Sequence, residues 1–364
     1  MGRPHGIGIV GLGNISRQYL DALGDHPAVR IAAVSDLSDD RARAVADETG
    51  ARAVTVDELV RHPDVQTVLN LTIPAAHAEI ALAAIRAGRA VYGEKPLALS
   101  VESGREIVDA AARAGVSVGS APDTVLGTGV QTARRAVDDG LIGRPLAASA
   151  TMVTAGHERW HPSPDFYYLP GGGPLLDMGP YYVSALVTLL GPVVAVSGAA
   201  SRLRPERVIG SGPRAGETIR VEVDTHVSGI LEHANGALST IVTSFDGTAT
   251  TASPLEVHGA DGTLLVPDPN RFDGDVVLRG ADGTERVLPV SGGYEDGARG
   301  VGLLDFIRTT PGAEPRAGGA MALHVLDIMT GVLRAAEEGR RVVLTTSTDR
   351  PEAVPFAGRE RWRS

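Results

Sequence analysis

Residues 6–16 have the sequence GIGIVGLGNIS, in which a short apolar strand runs into a glycine-rich turn. The turn matches the pattern G-x-G-x-x-G, except that Ser16 takes the place of the third glycine. Gly11 permits the tight turn, and Gly13 lets the backbone approach a pyrophosphate at the N-terminus of the following helix. Because serine is small, Ser16 still allows the helix to pack closely on the strand. A glycine motif between a strand and a helix predicts a dinucleotide-binding site here.

Short apolar runs alternate with longer amphipathic runs from this turn to residue 120. The predicted strands are residues 6–10, 29–35, 65–71, 90–92 and 116–119. The predicted helices are residues 15–23, 39–48, 76–87 and 101–114. Such alternation is typical of a doubly wound parallel sheet that is buried on both faces. We therefore expect an α/β Rossmann domain over residues 1–122.

The pattern changes after residue 122. A helix is predicted at residues 131–138, and hairpin turns are predicted at Asn235-Gly236, Asp261-Gly262 and Asp282-Gly283. Two further helices are predicted at residues 301–308 and 320–338, followed by a disordered, arginine-rich tail. The second part of the chain, residues 123–364, is therefore expected to be an α+β domain with a mainly antiparallel, open sheet.

Composition limits the class of protein. A chain of 364 residues with 43% hydrophobic residues can bury a core in two domains. The net charge of −10 argues against nucleic-acid binding, and the absence of cysteine excludes disulfides and thiolate metal sites. Residues 181–200 are apolar, but Gly191-Pro192 divides them into two core segments. The first residues lead directly into the glycine turn, without the pattern of a signal peptide. We expect a cytoplasmic protein that binds neither nucleic acid nor a membrane.

Lys95 is the only lysine among 34 basic residues. Lysine can lose its proton near neutral pH when its surroundings lower its pKa, whereas arginine cannot. Lys95 also follows a predicted parallel strand, and ligands bind at the carboxyl ends of such strands. The alternative is that Lys95 is present by chance. Its position at the end of a parallel strand instead favours a role in proton transfer.

Asp36 stands at the end of the second predicted strand, where a carboxylate would bind the adenosine ribose. Its alternative role is to cap the helix at residues 39–48, which Ser38 can do instead. Asp39 and Asp40 follow, so the 2′-phosphate of NADP would meet negative charge. NAD is therefore the expected cofactor, and NADP is the alternative.

Residues 156–182 hold five of the nine tryptophan and tyrosine residues, interleaved with charged residues and histidines. Aromatic faces beside hydrogen-bonding groups suit a sugar ring, although an aromatic domain interface is the alternative. The segment 157–161 is HERWH and matches the zinc motif H-E-x-x-H. Pro162 and Pro164 leave no helix to bring both histidines to one face, so we expect no metal site.

Three motifs together resemble those of the glucose–fructose oxidoreductase / inositol dehydrogenase (Gfo/Idh/MocA) family. They are the glycine turn, GEKP at residues 93–96 and GGGPLLDMGPY at residues 171–181. The resemblance implies a nicotinamide-dependent oxidoreductase that interconverts secondary alcohols and ketones of sugars and cyclitols. It also implies that Lys95 transfers the proton and that Asp177 helps to hold the substrate. Tyr181 stands where the family commonly has histidine, and Thr72-Ile73-Pro74 replaces its frequent Thr-Pro-Asn turn.

Alcohol oxidation requires a base that removes the hydroxyl proton. The ordinary lysine pKa near 10.4 is too high for this at neutral pH. Beside a positively charged nicotinamide and partly desolvated, Lys95 is expected to have a lowered pKa. Tyr181 is expected to orient the substrate, with a chemical role as the alternative.

The candidate residues follow from these motifs. The candidate cofactor-binding residues are Gly11, Gly13, Asn14, Ile15, Asp36, Thr72, Pro74, His77, Glu94 and Lys95. The candidate substrate-binding residues are Lys95, Asp123, His157, Trp160, Tyr168, Asp177 and Tyr181. The candidate catalytic residues are Lys95, Asp177 and Tyr181.

Two other functions stay open. One is an NAD-dependent enzyme that cleaves glycosides through transient ring oxidation. The other is a non-catalytic sensor of cofactor or sugar, against which the presence of Lys95 and Asp177 counts. The resemblance also implies a homo-oligomer, a dimer or tetramer, built on the antiparallel sheet.

Overall fold

The computed structural model describes residues 3–310 and 312–363. Residues 1 and 2, where the first predicted domain begins, and residue 364, where the second ends, lie outside the described residues. Among the described residues, one helix, Gly319–Glu338, is long and apolar enough to cross a membrane. About two thirds of its most apolar part is buried inside the protein, as in the core helix of a globular fold.

The first sheet has six parallel strands in the order β3-β2-β1-β4-β5-β6. Its strands are β1 (His5–Val10), β2 (Val29–Ser35), β3 (Arg52–Ala53), β4 (Thr67–Asn70), β5 (Ala90–Gly93) and β6 (Val118–Ser120). The helices between them are α1 (Asn14–Leu23), α2 (Asp39–Thr49), α3 (Val56–Arg61), α4 (His77–Arg86) and α5 (Val101–Ala114). The predicted Rossmann fold is confirmed. Sequence analysis missed β3 and α3, which are too short to show periodicity.

Local chemistry explains where these helices begin and end. Ser38 accepts a hydrogen bond from the Arg41 amide and caps α2, and Gly50 ends that helix at φ +70°. Thr55 and Glu58 form a capping box at the start of α3. Because Ser38 caps α2, the carboxylate of Asp36 is not needed for that purpose.

The second sheet has nine strands in the order β16-β15-β14-β13-β7-β12-β11-β8-β17. Only β7 and β12 pair in parallel, so the expected mainly antiparallel sheet is confirmed. Its strands are β7 (Pro145–Val153), β8 (Val193–Ser201), β11 (His226–His233), β12 (Leu238–Ser244), β13 (Leu255–Gly259), β14 (Gly262–Val266), β15 (Val277–Gly280), β16 (Glu285–Val287) and β17 (Val342–Val343). A separate ribbon pairs β9 (Glu206–Val208) with β10 (Thr218–Arg220). All three predicted hairpin turns join neighbouring antiparallel strands.

Among the described residues, this part of the chain has five α-helices. They are α6 (Thr128–Asp138), α7 (Pro174–Leu190), α8 (Val301–Ile307), α9 (Gly319–Glu338) and α10 (Arg359–Arg363). Helices α7 and α9 pack on one face of the second sheet, and α9 also contacts α5 and β6 of the Rossmann fold. The core is therefore continuous between the two parts. The predicted domain boundary after residue 122 stays a prediction.

Residues 359–363 form α10, so the prediction of a disordered tail was wrong for the described residues. Trp362 in α10 is 1% exposed, and its indole nitrogen donates to the Glu295 carbonyl oxygen at 2.6 Å. His26 Nε2 donates to the Trp362 carbonyl oxygen at 2.9 Å, which joins the tail to the Rossmann fold. The many arginines of this segment indicated that it is solvated. The free energy gained by burying the Trp362 side chain outweighs the preference of the arginines for water.

Candidate active site

The glycine turn lies at the carboxyl end of β1. Gly11 has φ +89°, and a Cβ there would lie 2.8 Å from backbone atoms of Leu71, so only glycine fits. A Cβ on Gly13 would meet nothing within 4 Å, and no side chain caps the first turn of α1. The first amides of α1 thus face open space without side-chain partners. This cradle fits the pyrophosphate of a dinucleotide.

Asp36 at the end of β2 faces this turn. Its Oδ2 accepts from the Leu12 amide at 2.7 Å, and its Oδ1 accepts from the Ser38 amide at 2.8 Å. Burial alone raises the pKa of Asp36, but the two amides and Arg41 outweigh it, and the net pKa is lowered. Asp36 is therefore a carboxylate where a ribose would lie.

The charge around Asp36 differs from the expectation. Arg41, which sequence analysis overlooked, donates to Asp36 Oδ1 at 2.8 Å with a side chain that is 58% exposed. Asp39 and Asp40 are exposed, and each lies 3.5 Å from the guanidinium of Arg43. The negative charge expected to repel a 2′-phosphate is therefore partly balanced by arginine.

Lys95 and Asp177 meet between the two halves of the chain. Lys95 follows β5, and Asp177 lies in the first turn of α7. Lys95 Nζ donates to Asp177 Oδ1 at 2.9 Å and to the Asp177 carbonyl oxygen at 2.6 Å. The two side chains are 14% and 18% exposed, so water screens the pair only weakly.

Contacts around Lys95 act against the lowering of its pKa that was expected beside a bound nicotinamide. Burial lowers this pKa, but the Asp177 carboxylate, with Tyr181 and Glu94, raises it above the ordinary lysine value. For Asp177, burial alone raises the pKa, but Lys95 and His157 outweigh burial and lower the pKa to about 2. Lys95 is therefore an ammonium ion at neutral pH, and Asp177 is a carboxylate.

His157 bonds the second oxygen of this carboxylate. Its Nε2 lies 3.1 Å from Asp177 Oδ2, and its buried Nδ1 has no hydrogen-bond partner among the described residues. Because a carboxylate oxygen can only accept, His157 carries a proton on Nε2 and donates a hydrogen bond to Asp177. The ring packs against Tyr167 and Phe245, at centroid distances of 4.7 and 4.5 Å. The neighbouring Glu158 accepts instead from the Tyr168 hydroxyl and from Arg207.

Tyr181 lies between two cations. Lys95 Nζ and Arg299 Cζ are each 5.1 Å from its ring centroid, and Arg299 Nη2 donates to its hydroxyl oxygen at 3.2 Å. Burial raises the pKa of Tyr181, although Lys95 and Arg299 oppose that shift. Tyr181 is thus a neutral phenol at neutral pH. No signal in the sequence links Arg299 to a residue 118 positions away.

Asp123 and Tyr168 do not face the cleft, which corrects two predicted substrate contacts. Asp123 is completely buried and lies 3.3 Å from Arg299, while the Gly300 amide donates to it at 2.9 Å. It holds Arg299 in place behind Tyr181. Tyr168 is also completely buried and donates to Glu158. The adjacent Tyr167 lines the cleft in its place.

Two of the predicted cofactor contacts point away from the sheet edge. His77 is buried, with its ring nitrogens 2.7 Å from the Pro96 carbonyl oxygen and 3.0 Å from that of Thr72. It ties the two turns together from behind. Glu94 accepts from the Tyr19 hydroxyl at 2.8 Å. Both side chains support the turns that carry Thr72 and Lys95.

An open cleft reaches Lys95 and Asp177 from the surface. One wall is the turn at residues 73–75, and the other is the loop at residues 166–172. Trp160 lies near this loop and is 59% exposed. Among the described residues, no group of three histidine, aspartate or glutamate side chains is arranged to hold a metal ion.

Comparison with known proteins identifies the family. The model of an oxidoreductase family with an NAD-binding Rossmann fold matches residues 5–121, and that of the GFO/IDH/MocA C-terminal domain matches residues 130–265. A 1,5-anhydro-D-fructose reductase from Ensifer adhaerens is 30% identical over 352 residues, which are 93% of this chain and 98% of that protein. A myo-inositol 2-dehydrogenase from Thermotoga maritima is 27% identical over 261 residues, 71% of this chain and 74% of that protein.

A solved structure agrees with this result at the level of the fold. An NAD-binding oxidoreductase from Klebsiella pneumoniae has a TM-score of 0.82 at 24% identity, over 95% of this chain and 100% of that one. Both halves of the chain thus have the expected architecture, and a relative aligns along nearly the whole length. The chain belongs to the Gfo/Idh/MocA family of oxidoreductases, with an NAD-binding Rossmann fold.

Proposed function

We propose that this oxidoreductase interconverts a secondary alcohol and a ketone on a sugar, glycoside or cyclitol ring, with Lys95 as the proton donor and acceptor. The observation that carries the proposal is the buried hydrogen bond from Lys95 Nζ to Asp177 Oδ1, 2.9 Å long, at the inner end of the cleft. The names of the relatives, a reductase of anhydrofructose and a dehydrogenase of myo-inositol, support a ring substrate. Neither glycoside cleavage nor a sensor role has such support.

The cradle of Gly11, Gly13 and the first turn of α1 would hold the pyrophosphate of NAD, and Asp36 would bind its ribose. When bound, the nicotinamide accepts or supplies the hydride at the ring carbon. Lys95 Nζ gives its proton to the ketone oxygen in reduction and takes the hydroxyl proton in oxidation. Because Asp177 raises the pKa of Lys95, the amine carries at neutral pH the proton that reduction requires.

His157 has a positioning role in this proposal. Its Nε2–H donates to Asp177 Oδ2, which leaves Oδ1 directed at Lys95. When Lys95 has given its proton to the substrate, the Asp177 carboxylate keeps the hydrogen bond from His157. His157 therefore stabilises the buried negative charge at the moment when the ammonium charge is lost.

A panel of sugars, cyclitols and glycosides tests the proposal, with NAD and NADP and absorbance at 340 nm as the readout. Turnover of at least one ring alcohol or ketone is expected. Glycoside cleavage without net NADH would indicate the transient-oxidation reaction instead. If NADH fails to bind at millimolar concentration, the whole proposal is wrong.

Tyr181→Phe is expected to raise KM about three- to tenfold, the effect of one lost hydrogen bond, and to lower kcat less. The reason is that a neutral phenol held by Arg299 can orient the substrate but is a poor base. Steady-state kinetics measures both constants. The matched control is Tyr182→Phe, since the Tyr182 hydroxyl bonds Asp268, whereas the Tyr181 ring lies 5.1 Å from Lys95 Nζ. A kcat loss as large as that of Lys95→Arg, with a double variant little worse than either single one, would assign Tyr181 a chemical role.

Asp36→Ser is expected to weaken NAD binding about tenfold or more, because charge-assisted bonds of about 1.5–3 kcal/mol to the ribose are lost. The same change releases Arg41 from its ion pair, so NADP binding should improve. Titration of NADH and NADPH fluorescence measures both. The gain for NADP should disappear in Asp36→Ser/Arg41→Ala, and Asp57→Ser, at an exposed aspartate of α3, serves as the control. If the wild type prefers NADP and Asp36→Ser changes nothing, the ribose assignment is wrong.

We further propose a homo-oligomer built on the outward face of the second sheet. Ile230, Thr240 and Leu238 lie on this face, and Ile230 and Leu238 are 47% and 51% exposed. Exposed apolar side chains on an open sheet favour pairing with a second copy. Sedimentation should show a dimer or tetramer that Ile230→Glu dissociates, and a monomeric wild type would contradict this. The cytoplasmic location also stays a prediction.

A further inference from the structure

We propose that the substrate is a glycoside whose aglycone is apolar and uncharged, with the aglycone in the mouth of the cleft and the sugar ring at its inner end. This inference rests on the proposed function, since it takes Lys95 and Asp177 as the groups at which the ring reacts. It adds to the proposed function the chemical class of the group that is attached to the sugar ring. The inference is based on the side chains that line the cleft.

The polar side chains of the cleft lie at its buried end. Of the residues that the structure describes, only Lys95, Asp177 and Tyr167 bring polar side-chain atoms to its lining. The first two are 14% and 18% exposed, whereas large apolar side chains surround the mouth. At the mouth, Ile73 is 66% exposed, Phe166 47%, Leu99 44% and Leu169 39%. Polarity therefore decreases from the inner end to the surface.

A free sugar or cyclitol does not match this distribution. Its ring carries hydroxyl groups on all sides, and each hydroxyl that leaves water without a partner costs free energy. A glycoside with an apolar aglycone matches both ends. Its hydroxylated ring reaches Lys95 and Asp177, and its aglycone covers the apolar mouth. Clusters of exposed apolar side chains beside a functional site are typical of ligand-binding grooves.

The mouth also favours a flat, uncharged substituent. The Phe166 and Tyr167 rings lie 4.0 Å apart on one wall, where an aryl group can stack. Leu99 and Leu169 extend this apolar rim. The only charged side chains that line the cleft in the described ranges 3–310 and 312–363 are Lys95 and Asp177, and these bond each other. A phosphate or nucleotide at the mouth would lack a cationic partner.

Matched methyl and phenyl glycosides of glucose, galactose, mannose and xylose, in both anomers, test the inference with the full chain and NAD at 340 nm. For each sugar that is oxidised, the phenyl glycoside should have a kcat/KM at least tenfold higher than the methyl glycoside, mainly through a lower KM. Phe166→Ser and Leu169→Ser should bring the ratio of the two kcat/KM values close to one. Leu203→Ser, at an 82% exposed leucine outside the cleft, should leave the ratio unchanged.

Calorimetry separates this inference from the proposed function. The same glycosides are titrated into the NADH-bound protein, and phenyl glycosides should bind at least tenfold more tightly than methyl glycosides. Absence of turnover with this binding ratio intact would contradict the proposed reaction alone. Methyl and phenyl glycosides that bind and react within twofold of each other would overturn the inference, as would Phe166→Ser and Leu169→Ser variants that keep the wild-type ratio.

Discussion

Replacement of Lys95 by arginine is expected to lower kcat by about 10²–10⁴-fold, the usual contribution of a general acid or base, while NAD still binds. Arginine retains the positive charge beside Asp177, so the buried carboxylate keeps a partner. It cannot release a proton near neutral pH, so the transfer to or from the ring oxygen is lost. Absorbance at 340 nm measures kcat, and nucleotide fluorescence measures NADH binding.

The reverse exchange at the surface is the matched control. Arg43→Lys changes an arginine that is 66% exposed, and it should leave kcat unchanged. A Lys95→Arg enzyme with nearly normal kcat would show that the proton comes from another group, however well the motifs match.

Asp177→Asn is expected to lower kcat/KM by roughly 10²–10³-fold and to shift its pH dependence. Without the carboxylate, the largest effect that opposes burial is lost, so the pKa of Lys95 falls. Reduction needs protonated Lys95, so its rate falls as the pH rises through this pKa, and the falling limb should move to lower pH. Oxidation needs the neutral amine, so its rising limb should move to lower pH as well. Profiles of kcat/KM against pH in both directions measure these shifts.

A distant carboxylate provides the control for that variant. Asp282→Asn changes an exposed hairpin residue and should leave both pH profiles in place. If Asp177→Asn lowers activity but keeps both limbs at the wild-type pH, Asp177 holds the substrate without tuning Lys95. Identical activity of Asp177→Asn and the wild type would exclude both roles.

The sequence was sufficient for the parts of the fold that depend on local interactions. Strand–helix alternation predicted the parallel sheet, and the Asn-Gly and Asp-Gly turns predicted the hairpins of the second sheet. The role of Gly11 in the turn could be predicted because a tight turn at φ +89° requires glycine, independently of the rest of the chain. The two-residue strand β3 and the six-residue helix α3 were missed, since neither completes a recognisable period.

Within the site, residue type was predictable and side-chain direction was not. Lys95 and Asp177 could be selected from composition and motif, and the structure brings them to 2.9 Å of each other. Of two adjacent tyrosines, Tyr167 faces the cleft and Tyr168 is buried on Glu158. The folding of a single loop decides between them, and nothing in the order of residues does.

Long-range partners decided the remaining properties. Arg299, Asp123 and Trp362 acquire their roles from contacts far along the chain. The pKa of Lys95 depends on a balance between burial and the distance to Asp177, and both exist only in the folded protein. Local preferences and glycine geometry act over a few residues, so the sequence alone determines them. Burial, charge pairing and the direction of side chains sum over the whole molecule, and for this reason only the tertiary structure decides them.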